Sequence, residues 1–278
     1  MTEPLLHHDR VAAAEGAAPG CWLFVLHGIY GAGRNWSTVM RRVVRERPDW
    51  GAELVDLREH GGSRGFAPPH TLAAAADDVW RLARHLGVGP DAILGHSFGG
   101  KVALLYARRH GGVRQLWVVD STPAARSPDG SAVAMLAVLR RTPGPFPSRD
   151  AAVRALEREG IERPVAQWMA TNVEPADGVY RWRLDLDVMQ ALLDDFFRTD
   201  LWDVVESPPV GLDLHFVKAE RSSVLDAAAC ARIEAAGRRT GRVFLHRVSG
   251  GHWLNADNPA ALVELLTRSL PGAETVEG

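Results

Sequence analysis

Along the first half of the chain, short apolar runs alternate with longer amphipathic ones. CWLFVLH (21–27), AELVDL (52–57), AILGH (92–96) and QLWVVD (115–120) are apolar almost without interruption, the pattern of parallel strands covered on both faces. Between them, 36–47, 70–86 and 98–110 carry helical spacing; Leu72, Ala76, Val79, Leu82, Ala83 and Leu86 fall on one face. Strand and helix form a βαβ series, so the expected fold is α/β, with a mostly parallel central sheet flanked by helices. After Asp120 the rhythm breaks. A Pro-rich stretch, TPGPFPS (142–148), leads into helix-like segments with no buried strand before DLHFVKA (213–219). The spacing therefore predicts a helical insertion over 121–205, between core segments 1–120 and 206–278. The alternation resumes with a helix over 223–237, a strand VFLHRVS (243–249), and a last helix after Asn258-Pro259, where proline suits the first helical position. The final AETVEG reads as a frayed tail.

Composition narrows the function classes more than it alters this outline. With 278 residues, 46% hydrophobic and 24% charged, the chain is ordinary globular protein, which excludes collagen-like, low-complexity and largely disordered readings. Its 32 basic residues, all arginine except Lys101 and Lys218, are scattered among 34 acids for a formal net charge of −2, so nucleic acid is not an expected partner. No apolar run reaches the roughly 18 residues of a membrane span. The first twenty residues lack the basic and apolar regions of an export signal. Cys21 and Cys230 belong to no CxxC spacing and read as buried thiols, so a cytoplasmic location is expected. Asp56, Arg58, Glu59 and His60 lie close in sequence but at the wrong spacing for a compact metal site, and no metal is assigned.

Gly95-His96-Ser97-Phe98-Gly99 follows the strand AIL and precedes the helical KVALLYARRH, the context a G-x-S-x-G nucleophile elbow requires. A serine on so tight a turn sits in a strained backbone, and glycines two positions to either side remove side chains that would collide. The following helix aims its free N–H groups at the same point. A hydroxyl also requires a base. Of eleven histidines, His252 in SGGHWLN lies between the last strand and the last helix, where two glycines free the backbone. His7 and His8 read as part of a mobile terminus, His215 and His246 lie inside strands, and His85 and His110 near helix ends. An oxyanion would take one backbone donor from Phe98. The other would come from His27-Gly28-Ile29-Tyr30-Gly31, with Ile29 the first choice and Tyr30 the second; His27 reads as a brace for this loop. GIYGAGRNW is not a dinucleotide cradle, because Trp36 stands where the third glycine belongs, and no cofactor is expected.

HGIYG after the first strand, DLREHGGS (56–63) after the second, GHSFGG at the elbow and GGHW near the end resemble, in that order, the α/β-hydrolase superfamily. More narrowly they resemble its small capped bacterial and mitochondrial serine esterases, over residues 20–120 and 207–270. The resemblance implies that 121–205 is a helical cap and that the elbow serine, a post-strand acid and the late histidine form a triad, hence Ser97 and His252. Members usually carry the acid after the penultimate strand, where this chain reads Lys218-Ala219-Glu220-Arg221-Ser222-Ser223-Val224-Leu225. Asp120 ends the strand beside the elbow strand, and some members place their acid there. Asp120 is therefore the first choice for the acid; Ser222 as an orienter, Glu220, Asp187 and Asp226 stay open behind it, and the alternative role for Asp120 is a helix-capping or loop-bracing carboxylate. Tyr30, Trp182, Arg183, Phe197 and Trp253 are the expected substrate contacts, although aromatic rings that join cap to core would leave the same sequence trace.

The activity implied is cofactor-free hydrolysis of carboxylic esters or thioesters of small to medium acyl groups through an acyl-enzyme on Ser97. The partner is a small-molecule ester or related carbonyl compound. Two other readings remain: a C–C bond hydrolase or perhydrolase on the same triad, and a non-catalytic ligand receptor or scaffold that keeps the fold. Dehalogenase and epoxide hydrolase chemistry is disfavoured, since both place a carboxylate at the elbow.

Overall fold

The computed structural model describes residues 4–14 and 16–272; the tail 273–278 lies outside the described residues, as do the first three. In chain order the strands are β1 (His8–Val11), β2 (Cys21–Leu26), β3 (Trp50–Val55), β4 (Ala92–His96), β5 (Gln115–Val119), β6 (Val173–Ala176), β7 (Val179–Trp182), β8 (Asp213–Ala219) and β9 (Val243–Val248). Seven of them form one sheet in the order β1-β3-β2-β4-β5-β8-β9. β1 is antiparallel to β3 and every other pairing is parallel.

The helices of the core are α1 (Ser37–Glu46), α2 (Leu72–Leu86) and α3 (Phe98–His110) before β5, and α9 (Ala227–Thr240), α10 (Leu254–Asp257) and α11 (Pro259–Ser269) after β8. Strands β2 to β5 are almost wholly apolar because both faces are covered. Leu23, Val25, Leu94 and Trp117 pack with Val39 and Met40 of α1 and Leu262 and Leu266 of α11. On the opposite face Phe24, Leu26, Ile93 and Val118 meet Val79 of α2, Val102 of α3 and Ile233 of α9. Each such fully buried side chain contributes about 1.5–3 kcal/mol. Helix ends follow local chemistry: Thr71 Oγ1 accepts from Ala74 N at the start of α2 and Gly87, at φ +67°, ends it. Asp226 caps α9 in the same way, which moves that helix a few residues beyond the 223–237 expected.

Between β5 and β8 lie α4 (Ser131–Arg141), α5 (Arg149–Arg158), α6 (Arg163–Met169), α7 (Leu186–Arg198) and α8 (Trp202–Glu206). This segment is not wholly helical. β6 and β7 pair as an antiparallel ribbon with Val173 opposite Trp182 and Ala176 opposite Val179. Its two-residue turn is Asp177-Gly178, at φ +51° and +79°, the Asp-Gly signature of a tight hairpin.

The N-terminus also differs from expectation. His8 lies in β1, where its ring and Arg10 reach the fully buried carboxylate of Glu53, while His7 Nδ1 meets Asp56 Oδ2 at 3.0 Å. A buried carboxylate without partners is costly, and the edge strand supplies them. The β5–β8 segment is tied to the core by Lys101, wholly buried in α3, whose Nζ donates to the carbonyls of Ala124, Phe196 and Thr199 at 2.8, 2.6 and 2.7 Å. Burial pushes this ammonium down to about 8. Tyr30 Oη donates to Ala132 O and Asn172 Nδ2 to Tyr30 O, both at 2.8 Å.

Candidate active site

Ser97 joins β4 to α3 at φ +52°, ψ −115°, a left-handed conformation that costs a non-glycine residue about 1–3 kcal/mol. Its N–H donates to Val119 O at 3.0 Å and its carbonyl accepts from Gly100 N at 2.9 Å, which hold the turn in place. A Cβ on Gly95 would fall on the Gly99 carbonyl, and one on Gly99 would fall on the carbonyls of Leu26 and His27. The two glycines of the pentapeptide are therefore required by close backbone approach.

His252 follows β9 in the loop before α10. Its Nδ1 lies 2.7 Å from Oδ2 of Asp120, which is completely buried while the imidazole is a quarter exposed. Asp120 itself sits at φ +43°. Its N–H donates to Val217 O at 2.8 Å, and its Oδ1 accepts from Ala219 N at 3.2 Å. With a carboxylate on Nδ1, that nitrogen carries the proton and Nε2 keeps its lone pair. The loop is held from behind by His96, whose Nε2 donates to the His252 carbonyl at 2.8 Å. Burial and the neighbouring His252 push His96 down to about 3, so it stays a neutral donor. The other candidate acids are engaged elsewhere. Ser222 Oγ accepts from Val224 N at 3.2 Å, Asp187 pairs with Arg140 on the surface, Asp226 caps α9, and Glu220 is exposed.

The loop after β2 is braced by His27. Its Nδ1 donates to Gly28 O at 2.7 Å and its Nε2 accepts from Leu57 N at 3.0 Å, a pair of bonds that one neutral tautomer satisfies. Burial lowers the His27 pKa in the same sense. Gly31 N donates to Gly28 O at 3.0 Å and Tyr30 takes φ +63°. Phe98 is the first residue of α3, where a backbone N–H has no acceptor within the helix. Asp56, after β3, accepts from Gly33 N at 2.7 Å and Gly62 N at 2.8 Å, so the acidic turn there fixes backbone.

Ser97, His252 and Ile29 open onto one cavity of about 280 Å³. Gly28, Tyr30, Trp36, His96 and Trp253 are on its core side; Ala132 and Met135 line it from α4, Val165 and Trp168 from α6, and Ile161 from the turn between α5 and α6. Of the expected substrate contacts, Tyr30 and Trp253 line this cavity, and Trp182, Arg183 and Phe197 lie outside its lining. Trp182 Nε1 donates to Thr142 O at 2.6 Å and its ring meets Phe146 edge-on, which fastens the ribbon to the end of α4. Arg183 Nη2 donates to Thr171 O, and Phe197 is buried edge-to-face against Phe196. The lining residues that sequence reasoning missed include Ile161, just before α6, and Val165 and Trp168, three apart on one face of α6; that apolar pair was a usable signal.

The chain belongs to the alpha/beta hydrolase family, whose sequence model matches residues 23–265. Among individual relatives, it is 28% identical to the mouse sn-1-specific diacylglycerol lipase ABHD11 over 252 residues, covering 88% of this chain and 79% of the mouse protein. It is 32% identical to Lipase LipV of Mycobacterium tuberculosis over 213 residues, 72% of this chain and 74% of LipV. Among solved structures, a marine microorganism esterase superposes with a TM-score of 0.81 at 23% identity, covering 95% of this chain and 99% of that one, a likeness of fold. Among the described residues no helix is long and apolar enough to cross a membrane.

Proposed function

We propose that the protein is a serine hydrolase that cleaves carboxylic esters or thioesters of small to medium acyl groups. Ser97 is the nucleophile, His252 the base and Asp120 the acid that orients it. The observation that carries this reading is the buried Asp120 carboxylate 2.7 Å from Nδ1 of an imidazole that shares a cavity with the strained Ser97. His252 takes the Ser97 proton as Oγ attacks the ester carbonyl; the N–H groups of Ile29 and Phe98 receive the oxyanion. His252 then protonates the leaving alcohol or thiol and activates the water that releases the acid. Asp120 stabilises the imidazolium. Residues 121–205 serve as the cap, over a core of 1–120 and 206–278, and Tyr30 and Trp253 contact substrate. The relatives named as lipases support ester chemistry, and a cavity just under the roughly 300–1,000 Å³ of drug-sized ligand sites favours short acyl chains. The two cysteines are buried and unpaired, which favours a cytoplasmic location.

A fluorophosphonate probe is expected to label the protein, and Ser97→Ala to abolish the labelling and lower kcat by about 10⁶ if the three groups act as a unit. A folded protein that takes no label would leave the receptor reading instead.

A further inference from the structure

Positive charge gathers beside the cavity, where the chain turns from α6 into β6. Arg34 Nη2 and Arg183 Nη2 both donate to the carbonyl oxygen of Thr171, each at 3.3 Å. Two guanidinium groups thus share one neutral acceptor, and among the described residues neither has a carboxylate within ion-pair distance. Arg64 Nη2 lies 3.4 Å from Glu174 Oε2, with both side chains close to half exposed, and Arg149 Nη2 donates to Val173 O at 3.3 Å. Four cations therefore surround residues 171–174, which offer Glu174 as their single carboxylate. The nearby Asp56 already accepts from Gly33 N and Gly62 N and meets the His7 ring. Burial first, then the charges of Arg34 and Arg64, lower the pKa of Arg183 against a smaller opposite pull from Glu174 and Asp56, and its Nε is buried without a partner. Like charges gathered on a carbonyl are an unfinished arrangement, and an anion completes it.

Residues bonded or adjacent to the cluster line the catalytic cavity, although its arginines do not. Arg34 precedes Asn35, and Thr171 Oγ1 donates to Trp168 O at 2.7 Å; Asn35 and Trp168 both line the cavity. We infer that Arg34, Arg64 and Arg183 form a subsite for an anionic group of the substrate, a carboxylate or a phosphate, carried away from the bond that is cleaved. The inference rests on the ester-hydrolase reading and narrows it to esters with one charged end. Arginine forks suit both anions, since two N–H groups meet two oxygens at once.

The test uses two matched pairs of esters: 4-nitrophenyl butyrate with 4-nitrophenyl hemiglutarate, and 1-butyrylglycerol with 1-butyrylglycerol 3-phosphate. In the Arg64→Gln/Arg183→Gln protein the charged-to-neutral ratio of kcat/KM is expected to fall about tenfold or more through KM, the effect of one lost charge-assisted hydrogen bond. A fall in the first pair alone assigns a carboxylate, and one in the second alone assigns a phosphate. A ratio unchanged in both pairs, including an equal loss on charged and neutral members, overturns the subsite. Should the variant fail to fold, the wild type decides. Its KM for a charged ester should rise from about 0.05 M to about 0.5 M salt while that for the neutral partner stays flat, and equal salt responses overturn the inference. Turnover of the neutral esters, lost in Ser97→Ala, tests the hydrolase reading separately.

Discussion

Two neighbouring strands, β5 and β8, end at the same edge of the sheet, and the two ends are built in opposite ways. β5 ends on Asp120, whose left-handed backbone delivers a buried carboxylate to His252. β8 ends on a turn closed from within by Lys218, whose Nζ donates to the carbonyls of Ala219 and Ser222, while Ser222 Oγ is occupied by Val224 N. One end presents a charge to the imidazole; the other spends its polar groups on its own backbone. The β8 end still contributes, because Ala219 N donates to Asp120 Oδ1 at 3.2 Å and Val217 O accepts from Asp120 N. The two strand ends are therefore coupled: the β8 backbone supports the carboxylate that the β5 end presents.

The contrast can be broken most severely at β5. Asp120→Asn is expected to lower kcat by about 10⁴, the size seen where a triad aspartate loses its charge and the imidazole tautomer is wrong. Adding Ser222→Asp to that variant should restore less than about tenfold of the loss, since the turn after β8 is tied to itself; restoration to near wild-type kcat would show the two ends to be interchangeable. Lys218→Met should cost about 1–3 kcal/mol of stability in chemical denaturation, because two carbonyls lose a charged donor in a partly exposed turn. A cost near zero would mean that the ammonium does not hold the turn. Ser222→Ala is the smallest, within about 0.5 kcal/mol and with kcat nearly unchanged; a drop approaching that of Asp120→Asn would return the orienting role to the later strand.

Much of this arrangement is written in local sequence. The uninterrupted apolar strands, the glycines of the elbow and the SGGHWLN loop each serve a local steric or packing requirement, so position along the chain is enough to place them. The β6–β7 ribbon was missed because its strands are short and half exposed, leaving Asp177-Gly178 as the one clear signal. His7 and His8 looked unattached because their partners, Asp56 and Glu53, lie more than forty residues away. The choice between Asp120 and the residues after β8 turned on a backbone dihedral, which composition and spacing do not encode. Trp182 and Phe197 are the plainest case of ambiguity: a buried ring reads the same whether it lines a cavity or packs against another ring.

Tyr30, Ser97 and Asp120, three of the five non-glycine residues at positive φ among the described residues, all belong to the candidate site, and each such residue costs about 1–3 kcal/mol. Glycine at position 97 would relieve that strain while removing the hydroxyl. Selection for heat tolerance alone would therefore erode this protein from its chemistry outward, and variants that survive boiling best would be the first to be screened for lost turnover.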